Sequence, residues 1–147
     1  MIDRATIESL VPHAGAMCLW DTVVAWDTQT IVLRTDGHRD PHHPLRSHGM
    51  LRALHLSEYG AQAMAVHGGL LARERAATAA PGMLVALRGV ELHCTRIDDL
   101  DGPLECVAES LVAGEGAQQY RFTLRHQGVV LAEGRAAVML RLPGTDE

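Results

Sequence analysis

The chain lacks the marks of several large protein classes. Its three cysteines, Cys18, Cys94 and Cys106, lie far apart and form no CxxC pair. That spacing argues against a zinc knuckle and leads to the expectation of buried, free thiols in a reducing compartment. No stretch approaches the roughly 20 apolar residues needed to cross a bilayer. The opening MIDRATIESL has early acids and no long apolar run, so it does not read as a signal peptide, and a cytoplasmic location is expected. No block of Lys and Arg occurs, and 13 basic residues face 18 acidic ones for a formal charge of -5. Such a balance does not suit a nucleic-acid surface. Neither GxGxxG nor a P-loop is present, so nucleotide binding has no support, and no cofactor is expected.

What is present fits one domain spanning residues 1–147, of which 47% are apolar. Thr6–Leu10 is a short helical candidate stopped by Pro12. Met17–Asp27 and Thr30–Thr35 read as two strands joined by a turn. A loop from Asp36 to Gly49 contains Pro41 and Pro44. The helix that follows runs from about Met50 or Ser57 to about Arg75. Its apolar residues, among them Leu56, Tyr59, Met64, Val66 and Leu70, keep to no narrow stripe, and alanines and glycines fill the gaps. A helix that is small or apolar almost all round is a buried one.

The second half supplies what buries it. Met83–Cys94, Leu104–Ala113, Gln118–His126 and Val129–Leu142 are strand-like. The turns Asp101-Gly102-Pro103, Gly114-Glu115-Gly116 and Gln127-Gly128 have hairpin chemistry. Tyr120, Phe122 and Leu124 alternate with Arg121, Thr123 and Arg125, giving one dry and one wet face. Residues 76–82 form a small-residue connector. The order is short helix, hairpin, long helix, antiparallel meander: an α+β arrangement in which a curved sheet wraps one helix. Dimerisation through the sheet is expected to cover what remains exposed.

The densest chemistry lies between Gly37 and Leu71. The loop holds His38, His42, His43 and His48, and His55 follows before the Ala-rich helix with its single early carboxylate, Glu58. Imidazoles beside a screened acid suit proton transfer. A loop imidazole is also commonly no more than a solvated polar group, and Glu58 could simply complement the helix dipole. His67, on the helix, reads as a core histidine with its hydrogen bonds satisfied, and His13 as a turn residue. As metal ligands the loop histidines lack the i, i+4 helical presentation of a zinc motif and have no thiol nearby in sequence. Metal is therefore not expected.

Three phrases carry a resemblance that covers nearly the whole chain: Val11-Pro12-His13-Ala14-Gly15-Ala16-Met17, the run from Glu58-Tyr59-Gly60-Ala61-Gln62 to His67-Gly68-Gly69, and Ala132-Glu133-Gly134-Arg135-Ala136-Ala137-Val138-Met139-Leu140. Together with Gly37-His38, Pro41 to Pro44, and Gly49-Met50-Leu51, they resemble the hotdog-fold β-hydroxyacyl-carrier-protein dehydratases. The nearest subgroup is the dehydratase-like proteins of aryl-polyene clusters. Two departures stand out. The interval from His38 to Glu58 is several residues longer than in the ordinary dehydratases, and His43 stands where this subgroup has Asn.

The resemblance implies a hotdog fold and the dehydration of 3-hydroxyacyl thioesters to trans-2-enoyl products on acyl carrier protein. It implies His38 as the base that takes the α-proton and Glu58 as the group that orients or protonates the leaving hydroxyl. Gly49 or its neighbours would offer N–H groups to the thioester carbonyl. Gln62, one turn beyond Glu58, would hold the carboxylate. Met64 would line the acyl tunnel, and His43 would lie in the substrate site, with His43 or His48 the alternatives to His38 as base. In the family the histidine and the acid come from different subunits, so a homodimer or a heterodimer with another hotdog protein is expected. A hotdog thioesterase and a noncatalytic partner subunit are the alternatives.

Overall fold

A computed structural model describes the backbone of residues 1–11, 15–74, 82–114 and 117–140. The chain opens with α1 (Arg4–Leu10). This helix starts before the expected Thr6 because the Asp3 side chain caps it, accepting from the Thr6 N–H at 3.0 Å. Ile7 on its inner face is fully buried. The strand expected over Met17–Asp27 is shorter: β1 covers Thr22–Trp26. Gly15–Met17 form a 3-10 turn, and Cys18, Leu19 and Trp20 turn into the core. Leu19 gives its backbone N–H to the Gln62 side chain, so that donor is not available to a ladder.

After β1 and β2 (Thr30–Thr35) comes α2 (Leu56–Glu74). It begins at Leu56, behind a 3-10 turn over Ala53–His55, one residue from the expected Ser57 and not at Met50. Glu58 in its first turn and Arg73 in its last match the helix dipole. Tyr59, Gln62, Ala63, Met64, Val66, His67 and Leu70 are all buried, so the helix is covered on most sides, as its composition implies.

The cover is a six-stranded antiparallel sheet in the order β1-β2-β4-β5-β6-β3. Its later strands are β3 (Gly82–Leu92), β4 (Leu104–Gly114), β5 (Ala117–His126) and β6 (Val129–Leu140). Strand register aligns Leu33, Cys106, Leu124 and Ala132 across β2, β4, β5 and β6. All four are fully buried. The same row leaves the core at Leu92 on β3, which is 42% exposed. Alternation on β5 follows the pattern of its sequence: Tyr120, Phe122 and Leu124 are buried while Arg121 and Arg125 are exposed.

One expectation about strand order is corrected. β4, β5 and β6 form a meander, but β3 does not pair with β4; it lies at the sheet edge beside β6. Residues 93–103 are therefore a crossing connection and not a hairpin turn. Their backbone groups pair with the start of the α2 region instead: Ala53 N–H donates to Thr95 O at 3.0 Å and Ile97 N–H to Leu51 O at 2.9 Å. His13, residues 115–116 of the Gly-Glu-Gly turn, residues 76–81 of the connector and residues 141–142 of the last expected strand lie outside the described residues. No described helix is long and apolar enough to cross a membrane.

Candidate active site

The histidine loop leaves β2 through a fixed corner. Asp21 accepts from the Thr35 hydroxyl at 2.9 Å and the Asp36 N–H at 3.0 Å, and pairs with Arg4 at 2.9 Å. The Thr35 oxygen in turn accepts from Gly37 N–H at 3.0 Å. Beyond this corner Gly37–Arg39 form a single 3-10 turn.

That turn delivers His38 into the interior, where it is fully buried. Its Nε2–H donates to the Leu100 carbonyl at 2.8 Å. A carbonyl can only accept, so the proton is assigned to Nε2 and the lone pair to Nδ1. Nδ1 is buried and has no hydrogen-bond partner among the described residues. Burial pulls the imidazole below its ordinary value, against an opposing contribution from the Leu100 bond. The ionisable neighbours that bear on it are Asp36, His126 and Arg39.

His43 is buried on a different partner. Its Nδ1 accepts from Leu45 N–H at 3.1 Å, which leaves the proton on Nε2, 3.0 Å from the Tyr59 hydroxyl. Desolvation lowers this imidazole too, with the Arg46 charge acting in the same direction. Tyr59 is held edge-on by Trp20, ring centroids 5.4 Å apart, and the Trp20 indole N–H donates to the Tyr59 carbonyl at 2.9 Å. Burial pushes the Tyr59 phenol up, so it stays protonated. The loop does not gather its imidazoles around one point: His42 and His48 are exposed.

His48 and Gly49 make a tight turn with φ of 52° and 75°, closed by paired backbone bonds between Ser47 and Met50. Positive φ at consecutive positions explains the glycine. Gly49 therefore sits at the tip of a turn, with the 3-10 turn and Leu56 still to come before α2. The N–H groups at the start of α2 belong to residues after Gly49.

Glu58 is half-buried in the first turn of α2. Gln62, one turn on, donates from Nε2 to Glu58 Oε1 at 3.2 Å, the contact expected of it. The same amide donates to Met17 O at 2.8 Å and accepts from Leu19 N–H at 2.9 Å. Gln62 thus joins the acid to the segment before β1. Met64 is buried in the core of α2. Within the chain, then, Glu58 and Gln62 come together, His43 meets the residue next to Glu58, and His38 faces the 97–100 turn.

His67 behaves as its sequence setting implies. It accepts from the Tyr120 hydroxyl at 2.7 Å, donates to Asp27 O at 2.8 Å and is fully buried.

Sequence reasoning missed the partners of the two buried loop histidines. Tyr59 was readable only as a core residue of α2, although its place beside Glu58 in an Ala/Gly-rich stretch was a signal. Leu100, Asp98 and Arg46 carry no motif. Asp98 is buried and accepts from Leu51 N–H at 2.9 Å and from Arg96 Nε at 3.1 Å and Nη2. The Arg96 guanidinium holds its carboxyl well below the usual range.

A curved antiparallel sheet on one long helix, with buried imidazoles in the loop that leads into that helix, defines a protein of the hotdog class. The chain belongs to the ApeP-like family: the family model described as ApeP dehydratase matches residues 5–142. It is thus a hotdog dehydratase by family. Among solved structures it resembles a chain of the dehydratase heterocomplex ApeI:P from Xenorhabdus doucetiae, with TM-score 0.84 and 22% identity over 93% of this chain and 91% of that one. The TT0310 protein from Thermus thermophilus is similar at TM-score 0.60 and 16% identity, over 96% and 100% of the two chains. A point mutant of the thioesterase enzyme SAV0944 from Staphylococcus aureus gives TM-score 0.60 and 13% identity, over 82% and 93%. No curated protein matches the chain.

Proposed function

We propose that this protein dehydrates 3-hydroxyacyl thioesters carried on acyl carrier protein, in the cytoplasm, as one subunit of a hotdog dimer. The observation that carries the reading is His38. It is a buried imidazole with its proton tied to the Leu100 carbonyl and an open lone pair on Nδ1. An imidazole held neutral by burial suits removal of the proton α to a thioester carbonyl. The C–H electron pair moves to form the C2–C3 double bond, and the C3–O bond breaks. The hydroxyl is oriented or protonated by the acid of the site, the role proposed for Glu58, and departs as water. Proton return from His38 through solvent to the acid of the site completes the cycle.

N–H groups at the start of the α2 region are the natural donors to the thioester oxygen as charge develops there. Gln62 holds Glu58; the exposed Gly49 belongs to the surface offered to the acyl chain and its carrier arm, and the buried His43 and Met64 lie behind it. The contacts of His38 run to Leu100 and those of Glu58 include Gln62. We infer that the site is completed across a subunit interface, so that His38 works with an acid of the partner subunit and Glu58 with a base of the partner subunit. The heteromeric ApeI:P neighbour supports a hotdog protein of another sequence as that partner. The higher TM-score of the dehydratase neighbour over the thioesterase also favours dehydration.

The test is turnover of a 3-hydroxyacyl carrier protein by the purified chain, alone and with a hotdog partner, followed by mass spectrometry. Loss of one water from the loaded carrier supports the proposal. Release of the free acid would establish a thioesterase instead. No turnover in either condition would sink the catalytic reading.

A further inference from the structure

His38 is anchored at two points, and both lead to the same pair of charged residues. Its side chain rests on the Leu100 carbonyl. Leu100 closes a turn by donating its N–H to Ile97 O at 3.2 Å, and Asp98 lies within that turn. The backbone of His38 continues into Arg39, whose carbonyl accepts from Arg46 Nη2 at 3.0 Å. Arg46 Nη1 donates to Gly49 O at 3.0 Å and stands 3.9 Å from Asp98 Oδ2. The two side chains are only 15% and 5% exposed, so solvent screens this attraction little. Asp98 is independently fastened to Leu51 N–H and to Arg96.

We propose that Arg46 and Asp98 are positioning residues for His38. Their contact ties the backbone following the histidine to the turn that carries the carbonyl fixing its ring. Neither side chain has to touch substrate. Without the contact between them, the 37–49 loop is held to the 97–101 segment by the exposed Arg39–Asp101 ion pair at 2.7 Å and by the neighbouring Leu51 bonds, and the two can shift against each other. The Nε2–H bond then weakens, and the ring samples the tautomer with its proton on Nδ1, which leaves that nitrogen no lone pair with which to act as base. This inference rests on the proposed role of His38, but the tautomer itself is a property of the resting protein.

The experiment reads both. Uniformly 15N-labelled protein, with its partner subunit if turnover requires one, is examined by long-range 1H–15N correlation of the imidazoles. The His38 signals are assigned by their loss in His38→Ala. The wild type is expected to show one His38 tautomer, protonated at Nε2. Arg46→Met leaves Asp98 its bonds to Arg96 and Leu51, so it should fold even where Asp98→Asn does not. In Arg46→Met the His38 signals are expected to shift toward a tautomer mixture, with kcat falling on the order of 10- to 100-fold and KM little changed. Arg46→Lys keeps the charge but cannot reach two carbonyls and Asp98 at once, and should fall between.

A pure Nε2–H tautomer retained in Arg46→Met and Arg46→Lys, both folded by thermal melting, would overturn the proposal. So would a fall in kcat without any change at His38. If His38→Ala keeps full activity while the tautomer still shifts in Arg46→Met, positioning stands and the role of His38 as base fails.

Discussion

Gly60 on α2 and Phe122 on β5 are in direct contact: a Cβ built on the glycine would stand 2.7 Å from Phe122 Cγ and 2.8 Å from Cδ2. The aromatic ring rests on bare helix backbone, which sets how closely the helix approaches the sheet. Gly60→Ala should therefore destabilise the protein by about 1–3 kcal/mol through overpacking. Gly68, on the same helix, has nothing within 4 Å of an added Cβ. There Ala should stabilise by about 0.5–1 kcal/mol through helix propensity alone. Chemical denaturation of the two variants checks the opposite signs; equal effects would show that the ring yields.

Removal of the proposed base has a plain outcome. His38→Ala should lower kcat for dehydration by roughly 10²- to 10⁴-fold, the usual worth of a positioned general base. Single-turnover assays with a loaded carrier protein measure this. Full activity would move the role to another group.

Gln62 is a buried three-way junction, only 2% exposed. Gln62→Leu would orphan the Leu19 N–H and the Met17 carbonyl and release Glu58. An unsatisfied buried polar group costs about 1–3 kcal/mol, so a clear loss of thermal stability is expected. Gln62→Glu should be less harmful to Leu19, because it keeps one acceptor, but it places a second carboxylate beside Glu58. Thermal melts of both variants rank the two effects.

Stability should also depend on pH in a definite direction. Burial lowers the imidazoles of His38, His43 and His67 below their ordinary value of 6.5. The unfolded chain therefore binds protons that the folded one refuses, and stability rises with pH through that window. Above about 6.5 the contribution is flat; below it, stability falls until the folded histidines also titrate. Denaturation midpoints measured between about pH 7.5 and pH 5 should decline on acidification. A flat profile would contradict burial of these rings.

The parts of this structure that sequence made legible are those set by local periodicity. The alternation of Tyr120, Phe122 and Leu124 located a strand face, and the Ala/Gly-rich run located a buried helix. The turn at Gln127-Gly128 announced its hairpin because both positions take positive φ, at 50° and 80°. Pairing between distant segments was not legible. The place of β3 beside β6 depends on the 93–103 connection joining the loop at Leu51 and Ala53, and no local pattern encodes that. The start of α2 was blurred by the Ala53–His55 turn, whose residues are as compatible with an α-helix as with a tighter one. Of the site, the Glu58–Gln62 contact followed from helical spacing, whereas the partners of His38 and His43 required the fold.

The two borders of the sheet differ in what they offer. At one border β1 is five residues long, and Ile2 already exchanges both backbone hydrogen bonds with Val23. At the other, β3 runs for 11 residues and shows Leu87 and Leu92 at 40% and 42% exposure. Strand addition is thus directional: it can proceed from β3 and is obstructed at β1. Among the described residues, pairing of β3 with β3 would use up the longer free border of each chain and leave only the short, partly paired β1 border, so assembly by this route would stop at two chains.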